Sequence, residues 1–335
     1  MPGLTNIGNT CYGNATIQAL RHQTDLALFF LQEKHTKLLE HAKPSEKTRL
    51  VNAYSELVRS LWRDEIPVVQ SRPFWSEMIP AAMKAGFEQF RIPMAHDAHE
   101  FLVFLLDQLH EGLSTKAEMT IRHHPSHTDM DRAALESWKR FFSNSYSPLV
   151  EILFGLQMRT VTCDSCKKES NTWEMMNMLK ASVPAETDPV QMMDILVAES
   201  EGDTIDDYHC ETCPTRTKAC VRQRLWRLGA WVIVVLKRNE VSGKRINTKV
   251  VIPLTTSFAP LFVKASPEQS GRSEYELFAS IHHHGSARGG HYTSFARSPV
   301  TGKWAHFDDE RATPVDGDPI LNETTYIVMY RSIAQ

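Results

Sequence analysis

Residues 3–12 of the chain read GLTNIGNTCY, a polar and glycine-rich turn that places a cysteine directly before an apolar-periodic run. Two segments near the other end, GHYTSF at residues 290–295 and WAHFDD at residues 304–309, supply a histidine and then an aspartate. A thiol protease uses these three groups together, because its thiolate attacks, its imidazole transfers a proton and its carboxylate orients the imidazole. No local structure requires this combination, so it is the best indication of function.

Helical periodicity dominates the first third of the chain. Apolar residues recur there at the spacing of one helix face, and the first of these helices opens with Cys11. The expected helices cover residues 11–31, 46–62, 98–109 and 133–142. Gly112 is the expected stop of the third helix, and the polar, histidine-rich residues 123–131 are expected to form a loop.

After Pro148 the pattern changes from helical to extended. Short runs rich in Val, Ile, Tyr, Phe and Trp alternate with turns, which is typical of strands. The expected strands cover residues 157–162, 231–237, 275–282, 292–297, 304–307 and 326–331. The chain is therefore predicted to be α+β, with a helical lobe followed by a largely antiparallel sheet.

Composition narrows the class of protein. The 335 residues, 42% of them hydrophobic, are enough for a sizeable core, in roughly two domains or in one large domain with lobes. The net charge of -3 gives no support for a nucleic-acid binder held by phosphate contacts. Residues 1–12 lack the pattern of a targeting segment, and the apolar run 230–236 is too short to span a bilayer. We therefore expect an intracellular protein, of the cytoplasm or nucleus, that binds neither nucleic acid nor membrane.

Cys11 is the candidate nucleophile. It opens the first predicted helix, where free backbone N–H groups and the helix dipole favour a thiolate. Asn6 precedes Cys11 by five residues, close enough for its side-chain amide to stabilise an oxyanion. The alternative is a small buried residue at a helix start, which is the usual role of a lone cysteine. The histidine and aspartate segments favour the catalytic interpretation.

His291 is the candidate general base. The chain has fifteen histidines, so any one of them is weak evidence by itself. His291, however, follows Gly289 and Gly290, which let the backbone approach a ligand closely, and it precedes a strand pattern. A hairpin turning near residues 299–302 would bring Asp308 beside the imidazole, where it would accept a hydrogen bond. Asp309 is the alternative to Asp308, and otherwise it would assist the oxyanion or a water.

Two Cys-x-x-Cys pairs indicate a metal site. Four thiolates form the closed tetrahedral sulfur set that suits structural zinc. The four residues are Cys163, Cys166, Cys210 and Cys213. Two disulfides, or reduced cysteines without metal, are the alternatives, and Cys220 is left without a partner. The histidine run 282–284 also suggests metal binding, but an exposed strand end or loop is the more common role of such a run.

Three segments resemble motifs of one enzyme family. Residues 3–20 resemble the Cys box of the ubiquitin-specific proteases, which are papain-like deubiquitinating enzymes, and residues 275–315 resemble their His box. Between them, DAHEFL at residues 97–102 is similar to the family's intermediate motif. The resemblance extends to Tyr330, and two boxes in this order are a highly specific signal.

The resemblance implies a fold and an activity. The fold would be a single catalytic domain, 1–335, with a mainly helical thumb (1–145), fingers with a zinc ribbon (146–230) and a mainly β palm (231–335). The activity would be hydrolysis of the (iso)peptide bond after the C-terminal glycine of ubiquitin. The implied catalytic residues are Cys11, His291, Asp308 and Asn6. The implied ligands of one structural Zn2+ are Cys163, Cys166, Cys210 and Cys213.

The resemblance also implies how the substrate binds. Asp97 and Glu100 would meet the arginines of the ubiquitin tail, although an N-cap and a first-turn acid are the simpler interpretation of these carboxylates. Gly290 and Tyr292 would line a narrow tunnel for the Gly-Gly end. Residues 286–290 resemble a blocking loop, and residues 240–247 would form a second polar loop nearby.

The implied partners are ubiquitin and ubiquitinated proteins, and the resemblance allows for an activating partner protein. Three alternatives differ in class. A non-enzymatic ubiquitin-binding scaffold would be expected to have lost Cys11, His291 or Asp308, and all three are present. A hydrolase of another ubiquitin-like modifier would use the same catalytic boxes. A zinc-ribbon nucleic-acid binder is disfavoured by the neutral charge.

Overall fold

The computed structural model describes residues 1–40, 42–63, 65–91, 94–122, 124–238, 244–267, 273–286 and 289–333. The prediction of a helical first third is confirmed. Its elements are β1 (Gly3–Leu4), α1 (Cys11–Leu20), α2 (Thr24–Leu31), α3 (Lys34–Leu39), α4 (Glu46–Arg63), β2 (Val68–Val69), α5 (Arg72–Lys84) and α6 (Ala98–Leu113), followed by α7 (Asp129–Phe142) and α8 (Leu149–Leu153). Within the described residues, the helices are too short or too polar to cross a membrane. Positions 240–243 and 287–288 of the two predicted loops lie outside the described residues.

Three helix boundaries differ from the prediction. The expected helix 11–31 is two helices, because Gln23 adopts an extended backbone and its side chain accepts from the N–H of Leu26, which caps α2. Helix α7 begins at Asp129, within the expected loop, because Thr128 and Asp131 form a reciprocal capping box. Gly112 lies inside the last turn of α6 and does not stop it. A side chain at Gly112 would come within 2.7 Å of Val51, so this glycine allows α4 and α6 to pack closely.

The second half of the chain is built from strands. In chain order its elements are β3 (Gly155–Cys163), β4 (Glu169–Met176), β5 (Leu179–Ser182), β6 (Val190–Gln191), α9 (Met192–Glu201), β7 (Thr204–Tyr208), β8 (Thr217–Arg227), β9 (Trp231–Lys237), β10 (Val250–Val251), β11 (Thr255–Ser257), β12 (Glu274–Ser286), β13 (Gly289–Arg297), β14 (Trp304–Asp308), β15 (Arg311–Val315) and β16 (Thr325–Ser332). All six predicted strands are present within these bounds. The α+β fold class is thereby confirmed.

The strands form two principal sheets. The larger one has the order β15-β14-β13-β12-β16-β9-β5, with β11 beside the start of β12, and only β5 pairs in parallel. The smaller, antiparallel sheet has the order β4-β3-β8-β7. The larger sheet carries the predicted hairpin, because β13 and β14 pair antiparallel from Ser294–Phe307 to Arg297–Trp304.

Both faces of the larger sheet are covered. In β9, Trp231, Ile233 and Val235 face the core shared with the helical lobe, while Val232, Val234 and Leu236 face a second core. Burial on both sides explains why this strand reads as a continuous apolar run. Helix α1 packs on β13 and also contacts β12 and β14. The first residue of α1 is therefore held at the seam between the two lobes.

Candidate active site

Cys11 lies at that seam and is 4% exposed. Burial raises the pKa of its thiol, and the negative charge of Asp309 raises it further. The backbone N–H groups of Tyr292, Tyr12 and Cys11 itself donate toward the sulfur and oppose that shift. The N–H groups at the helix start thus favour a thiolate, as predicted, but desolvation of the charged form outweighs them and the net shift of the Cys11 pKa is upward.

A hydrogen bond joins His291 and Asp308 on the adjacent strands β13 and β14. The distance from His291 Nε2 to Asp308 Oδ1 is 2.6 Å, and the two side chains are 43% and 41% exposed. The ring N–H at Nε2 donates to the carboxylate, which leaves Nδ1 to exchange a proton. The residue after His291, Tyr292, donates its backbone N–H toward Cys11, so the thiol and the imidazole belong to one site.

Asp309, the next residue, has different hydrogen-bond partners from Asp308. Its φ of 47° is in the left-handed region, which turns its side chain toward the amino-terminal segment. Oδ2 accepts from Asn6 Nδ2 at 2.8 Å, and Oδ1 accepts from Asn14 Nδ2 at 2.8 Å. The Asp309 carbonyl accepts from the N–H of Leu4 at 2.8 Å. Asp309 thus connects the first strand and first helix to the end of β14, a role that its position in the sequence does not reveal.

The orientation of the Asn6 amide is fixed from both ends. Its Oδ1 accepts from the backbone N–H of Gly8 at 3.0 Å and of Thr10 at 3.2 Å, while Nδ2 bonds Asp309. An amide nitrogen has two N–H groups, so Asn6 retains one for a further acceptor. Asn6 is exposed, whereas Asn14 is 1% exposed and anchors the other side of the same carboxylate.

Asp97 has the predicted N-cap geometry and an additional partner. Its Oδ1 accepts from the N–H of His99 at 2.7 Å and of Glu100 at 3.2 Å. The hydroxyl of Tyr326, on β16, donates to Oδ1 at 3.0 Å and to Oδ2 at 2.9 Å. Asp97 therefore joins the start of α6 to the main sheet. Glu100 is exposed in the first turn of the same helix.

A small cavity of about 130 Å³ lies between these elements, lined by Asp97, Gly290, Tyr292, Tyr326 and other residues. Tyr292 is 6% exposed, and burial raises the pKa of its phenol. A Cβ atom at Gly290, on β13, would lie 2.3 Å from the carbonyl oxygen of His284 on β12. The close approach of the two strands therefore requires a glycine at position 290. Glu100 lines a separate, larger cavity of about 680 Å³ between α6 and the two sheets.

The histidine run on β12 is built into the fold, so its assignment to an exposed strand end is wrong for two of the three residues. His282 is 1% exposed, and burial lowers its pKa to about 3. His283 stacks on Tyr292, with ring centroids 4.5 Å apart, and Nδ1 lies 3.0 Å from Arg245 Nη1. His284 pairs with His291 across the hairpin.

The four predicted metal ligands meet at the end of the smaller sheet, where all four sulfurs lie within 4.8 Å of one another. The Sγ–Sγ distance is 3.8 Å for Cys163 and Cys213 and 3.6 Å for Cys166 and Cys210. Disulfides are excluded, because they require about 2.05 Å between sulfurs. The N–H of Cys166 lowers the pKa of the Cys163 thiol to about 6, and the N–H of Thr212 lowers that of Cys210. Four such thiols can hold a metal ion.

Comparison with known proteins identifies a family and curated relatives that the chain matches. A family model described as "Ubiquitin carboxyl-terminal hydrolase" matches residues 2–330. The "Ubiquitin carboxyl-terminal hydrolase 2" of Rattus norvegicus is 27% identical over 98% of this chain and 54% of its own length, and that of Homo sapiens is 26% identical over 98% and 55%. The chain thus spans about half the length of these curated relatives.

Solved structures share the fold. A SAGA DUB module containing Ubp8, Sgf11, Sus1 and Sgf73, bound to ubiquitin aldehyde, has a chain that superposes with a TM-score of 0.72 at 17% identity, covering 99% of this chain and 69% of that one. A yeast SAGA DUB module carrying a mutant Sgf73 gives a TM-score of 0.71 at 18% identity, with 99% and 68% coverage.

Proposed function

Because the chain belongs to the ubiquitin carboxyl-terminal hydrolase family, we propose that it is a thiol-dependent hydrolase that cleaves the (iso)peptide bond after the C-terminal glycine of ubiquitin. The observation that carries this proposal is the 2.6 Å contact between His291 and Asp308. The residue after His291, Tyr292, has the backbone N–H that faces Cys11. A scaffold that only bound ubiquitin would not need this arrangement.

The reaction begins with proton transfer from the Cys11 thiol to His291 Nδ1. The thiolate then attacks the carbonyl carbon of the terminal glycine, and the carbonyl π electrons move to oxygen. Because the raised pKa of Cys11 disfavours an isolated thiolate, the imidazole is needed as an adjacent proton acceptor. Asp308 stabilises the resulting imidazolium and accepts a hydrogen bond from its Nε2, so Nδ1 remains the atom that exchanges the proton.

The tetrahedral intermediate needs donors at its oxyanion. The N–H groups that face the Cys11 sulfur and the second N–H of Asn6 are suited to this role. Collapse of the intermediate expels the lysine amine, which takes the proton from His291 and leaves a thioester on Cys11. His291 then removes a proton from water as it attacks the thioester, and free ubiquitin and the Cys11 thiol are regenerated.

We assign tail recognition to the cleft beside the catalytic histidine. Asp97 and Glu100 bind the arginines of the ubiquitin tail, and Tyr292 and Gly290 line the passage for its two glycines. Two features support this: Asp97, Gly290 and Tyr292 line the same cavity, and the Tyr326 hydroxyl donates to Asp97 Oδ2, whereas the N–H groups of His99 and Glu100 donate to Oδ1. Tyr326 positions the carboxylate for an incoming guanidinium.

We assign one structural zinc ion to the four cysteines. The sulfur separations of 3.6 and 3.8 Å fit the edge of a tetrahedron about 3.8 Å long, which follows from Zn–S bonds of about 2.3 Å. The neighbouring thiol of Cys166 raises the pKa of Cys213, a shift that a bound cation would reverse. Zinc would join the β3–β4 turn to the β7–β8 loop and add to folding stability.

The predicted division of a single catalytic domain, 1–335, into thumb (1–145), fingers (146–230) and palm (231–335) remains our proposal. The arrangement of helices before residue 154 and of the four-stranded sheet after it supports the division. Strand β5 pairs with β9 of the larger sheet, so the segment around it belongs with the palm, although it lies in the range assigned to the fingers.

The proposed partners are ubiquitin, ubiquitinated proteins and an activating partner protein. Related structures contain ubiquitin or the subunits Sgf11, Sus1 and Sgf73, which supports both kinds of partner. We place the protein in the cytoplasm or nucleus, because a nucleophilic cysteine and free metal-ligating thiols persist in a reducing compartment.

A ubiquitin probe that carries an electrophile at its C-terminus tests the function. We expect a covalent adduct on Cys11, no adduct with Cys11→Ala, and retained ubiquitin binding by that variant. Matched probes built on other ubiquitin-like modifiers test the substrate class. If only another modifier reacts, the substrate assignment is wrong, and if ubiquitin binds without any adduct or hydrolysis, the enzyme assignment is wrong.

A further inference from the structure

A cavity of about 680 Å³ lies in the helical lobe, between the start of α4, the end of α5 and the second half of α6. The described residues that line it include none of those assigned above to catalysis or substrate binding. Its charged lining consists of Glu46, Lys47, Lys84, Asp107 and Glu111. We propose that this cavity binds a primary alkylammonium group, which Asp107 and Gln108 hold on the α6 wall.

The charges of the lining leave one carboxylate over. Lys47 forms an ion pair with Glu111, and Lys84 Nζ lies 2.9 Å from a carboxylate oxygen of Glu46. Both lysines of the cavity are therefore already paired. Asp107, in contrast, has neither a hydrogen bond nor an ion pair within the part of the chain that the structure describes. The α6 wall thus carries a partly buried negative charge that lacks a cation.

Gln108 provides a second and independent indication of a ligand. It lines the same cavity and is 5% exposed. Its amide can donate two hydrogen bonds and accept two, yet it has no partner among the described residues. Buried amides are normally hydrogen-bonded, because desolvation without a partner costs free energy. A polar ligand in the cavity would supply the missing partner.

A primary ammonium suits these two side chains better than other cations do. Adjacent residues of an α-helix point about 100° apart, so Asp107 and Gln108 approach a shared ligand from different directions. An ammonium donates three hydrogen bonds in different directions, whereas a guanidinium keeps its donors in one plane and matches a single carboxylate. Calcium or magnesium would need about six oxygen ligands, more than these two side chains offer.

The remaining lining suits the carbon chain of an amine. Ala81 and Ala85, at the end of α5, and Phe87, just beyond it, line the cavity. Methylene groups can pack on such side chains while the charged end of the ligand reaches a polar group. The carboxyl end of α5 also carries partial negative charge, which favours a cation. A free alkylamine and a lysine side chain of another protein offer the same chemistry.

Binding should stabilise the folded protein. Burial and the nearby charge of Glu111 raise the pKa of Asp107 to about 6, so ionisation of this carboxyl is unfavourable in the folded state. An ammonium beside Asp107 would offset that penalty. Because the cavity exists only in the folded chain, an amine that occupies it should raise the melting temperature as its concentration increases.

Thermal unfolding with pentylamine at about pH 7.5 and constant ionic strength tests the site, since the amine is charged at this pH. We expect a saturable rise in melting temperature, and no such rise with pentanol, which has the same carbon chain without the charge. Asp107→Asn should weaken pentylamine binding by about 10–100-fold, because a charged acceptor is lost. The matched control Asp318→Asn, an exposed position outside the cavity, should respond like the unmodified protein.

Two further measurements refine the test. Gln108→Leu keeps the approximate volume of the side chain but removes its acceptor, and it should weaken pentylamine binding by about threefold to tenfold. A lysine capped by acetyl and methylamide groups distinguishes the two sources of the ammonium. If the capped lysine binds more tightly than pentylamine, the ligand is a lysine side chain of another protein. If pentylamine binds more tightly, the ligand is a free amine.

Three results would overturn the inference. The first is the absence of binding by either amine up to millimolar concentrations. The second is equal stabilisation of the unmodified protein and Asp107→Asn by pentylamine. The third is equal stabilisation by pentanol and pentylamine, which would make the cavity a purely apolar site. These measurements do not involve ubiquitin hydrolysis, so failure of the proposed function would leave the inference standing, and the reverse also holds.

Discussion

Asn6 and Asp309, 303 positions apart, are joined by a hydrogen bond of 2.8 Å from amide Nδ2 to carboxylate Oδ2. The adjacent aspartate, Asp308, bonds His291 instead. Neighbouring carboxylates thus hold two different parts of the site: one orients the imidazole, and the other fixes the amide that precedes the nucleophile. Replacing Asp308 and replacing Asp309 should therefore have different kinetic consequences.

Asp308→Ala should reduce kcat/KM by about 10³–10⁴-fold, because the imidazole loses the group that fixes its tautomer. Asp309→Ala should reduce it by about 10²-fold, because Asn6 remains present but is no longer held. The measurement is hydrolysis of a fluorogenic ubiquitin substrate by both variants, with Asp318→Asn as the control. A larger loss in Asp309→Ala than in Asp308→Ala would reverse our assignment of the third catalytic residue.

Tyr326→Phe should raise KM by about tenfold and change kcat little, because Asp97 loses a donor that orients it toward the substrate tail. A substrate whose tail arginines are replaced by leucine should not discriminate between the two enzymes. Tyr330→Phe, on the same strand, is the control, since its hydroxyl donates to the carbonyl of Pro253 outside the cleft. An equal effect of Tyr326→Phe on both substrates would contradict the positioning role.

Cys210→Ser should abolish stoichiometric zinc binding and lower the melting temperature, because three thiolates remain where a structural site needs four. Native mass spectrometry should find one zinc in the unmodified protein. Cys220→Ser is the matched control: it also removes a thiol from this sheet, yet it should keep the metal. A metal-free protein with full activity and unchanged stability would argue against a structural zinc.

Asp107→Asn should stabilise the protein at pH 7 and have little effect near pH 4. Burial, together with Glu111, raises the pKa of Asp107 to about 6 from 3.8. A raised carboxyl pKa means that the folded state holds the proton more tightly, so the cost of ionisation is absent below pH 3.8, grows as pH rises and is fully present above pH 6. Because Asp107 keeps some solvent contact, we expect about 1 kcal/mol.

Thermal unfolding of Asp107→Asn across this pH range provides the measurement. The exposed substitution Asp318→Asn again serves as the control, with no comparable pH-dependent gain expected. A stabilisation by Asp107→Asn that is constant from pH 4 to pH 8 would show that the charge of Asp107 is not its cause.

Patterns in the sequence predicted the main sheet and most of the helical lobe, because buried faces leave a clear periodicity. The buried strand β9, for example, was predicted with its bounds at Trp231 and Lys237. Strands β4 and β7 were not predicted, because most of their residues are exposed or partly exposed and polar. Helix α5 was also not predicted, because it contains Pro73 and Pro80, and proline normally indicates a helix boundary or interruption.

The candidate site was predictable only in part, for a related reason. His291 and Asp308 lie on one hairpin, so their proximity follows from local pairing. The bonds of Asp309 to Asn6 and Asn14, and of Tyr326 to Asp97, depend on how the lobes pack, which no local pattern encodes. The raised pKa of the Cys11 thiol likewise depends on burial at the seam, which outweighs the N–H groups at the helix start.

The position of β16 has a consequence for biosynthesis. This strand, Thr325–Ser332, lies between β12 and β9 in the middle of the larger sheet, although it is the last of the described strands to be translated. Cys11 leaves the ribosome long before β16, but the sheet that supports His291 cannot close until residue 332 has emerged. Topology of this kind, rich in contacts between distant residues, also folds slowly. The proposed active site is therefore expected to assemble only after translation through β16 is complete.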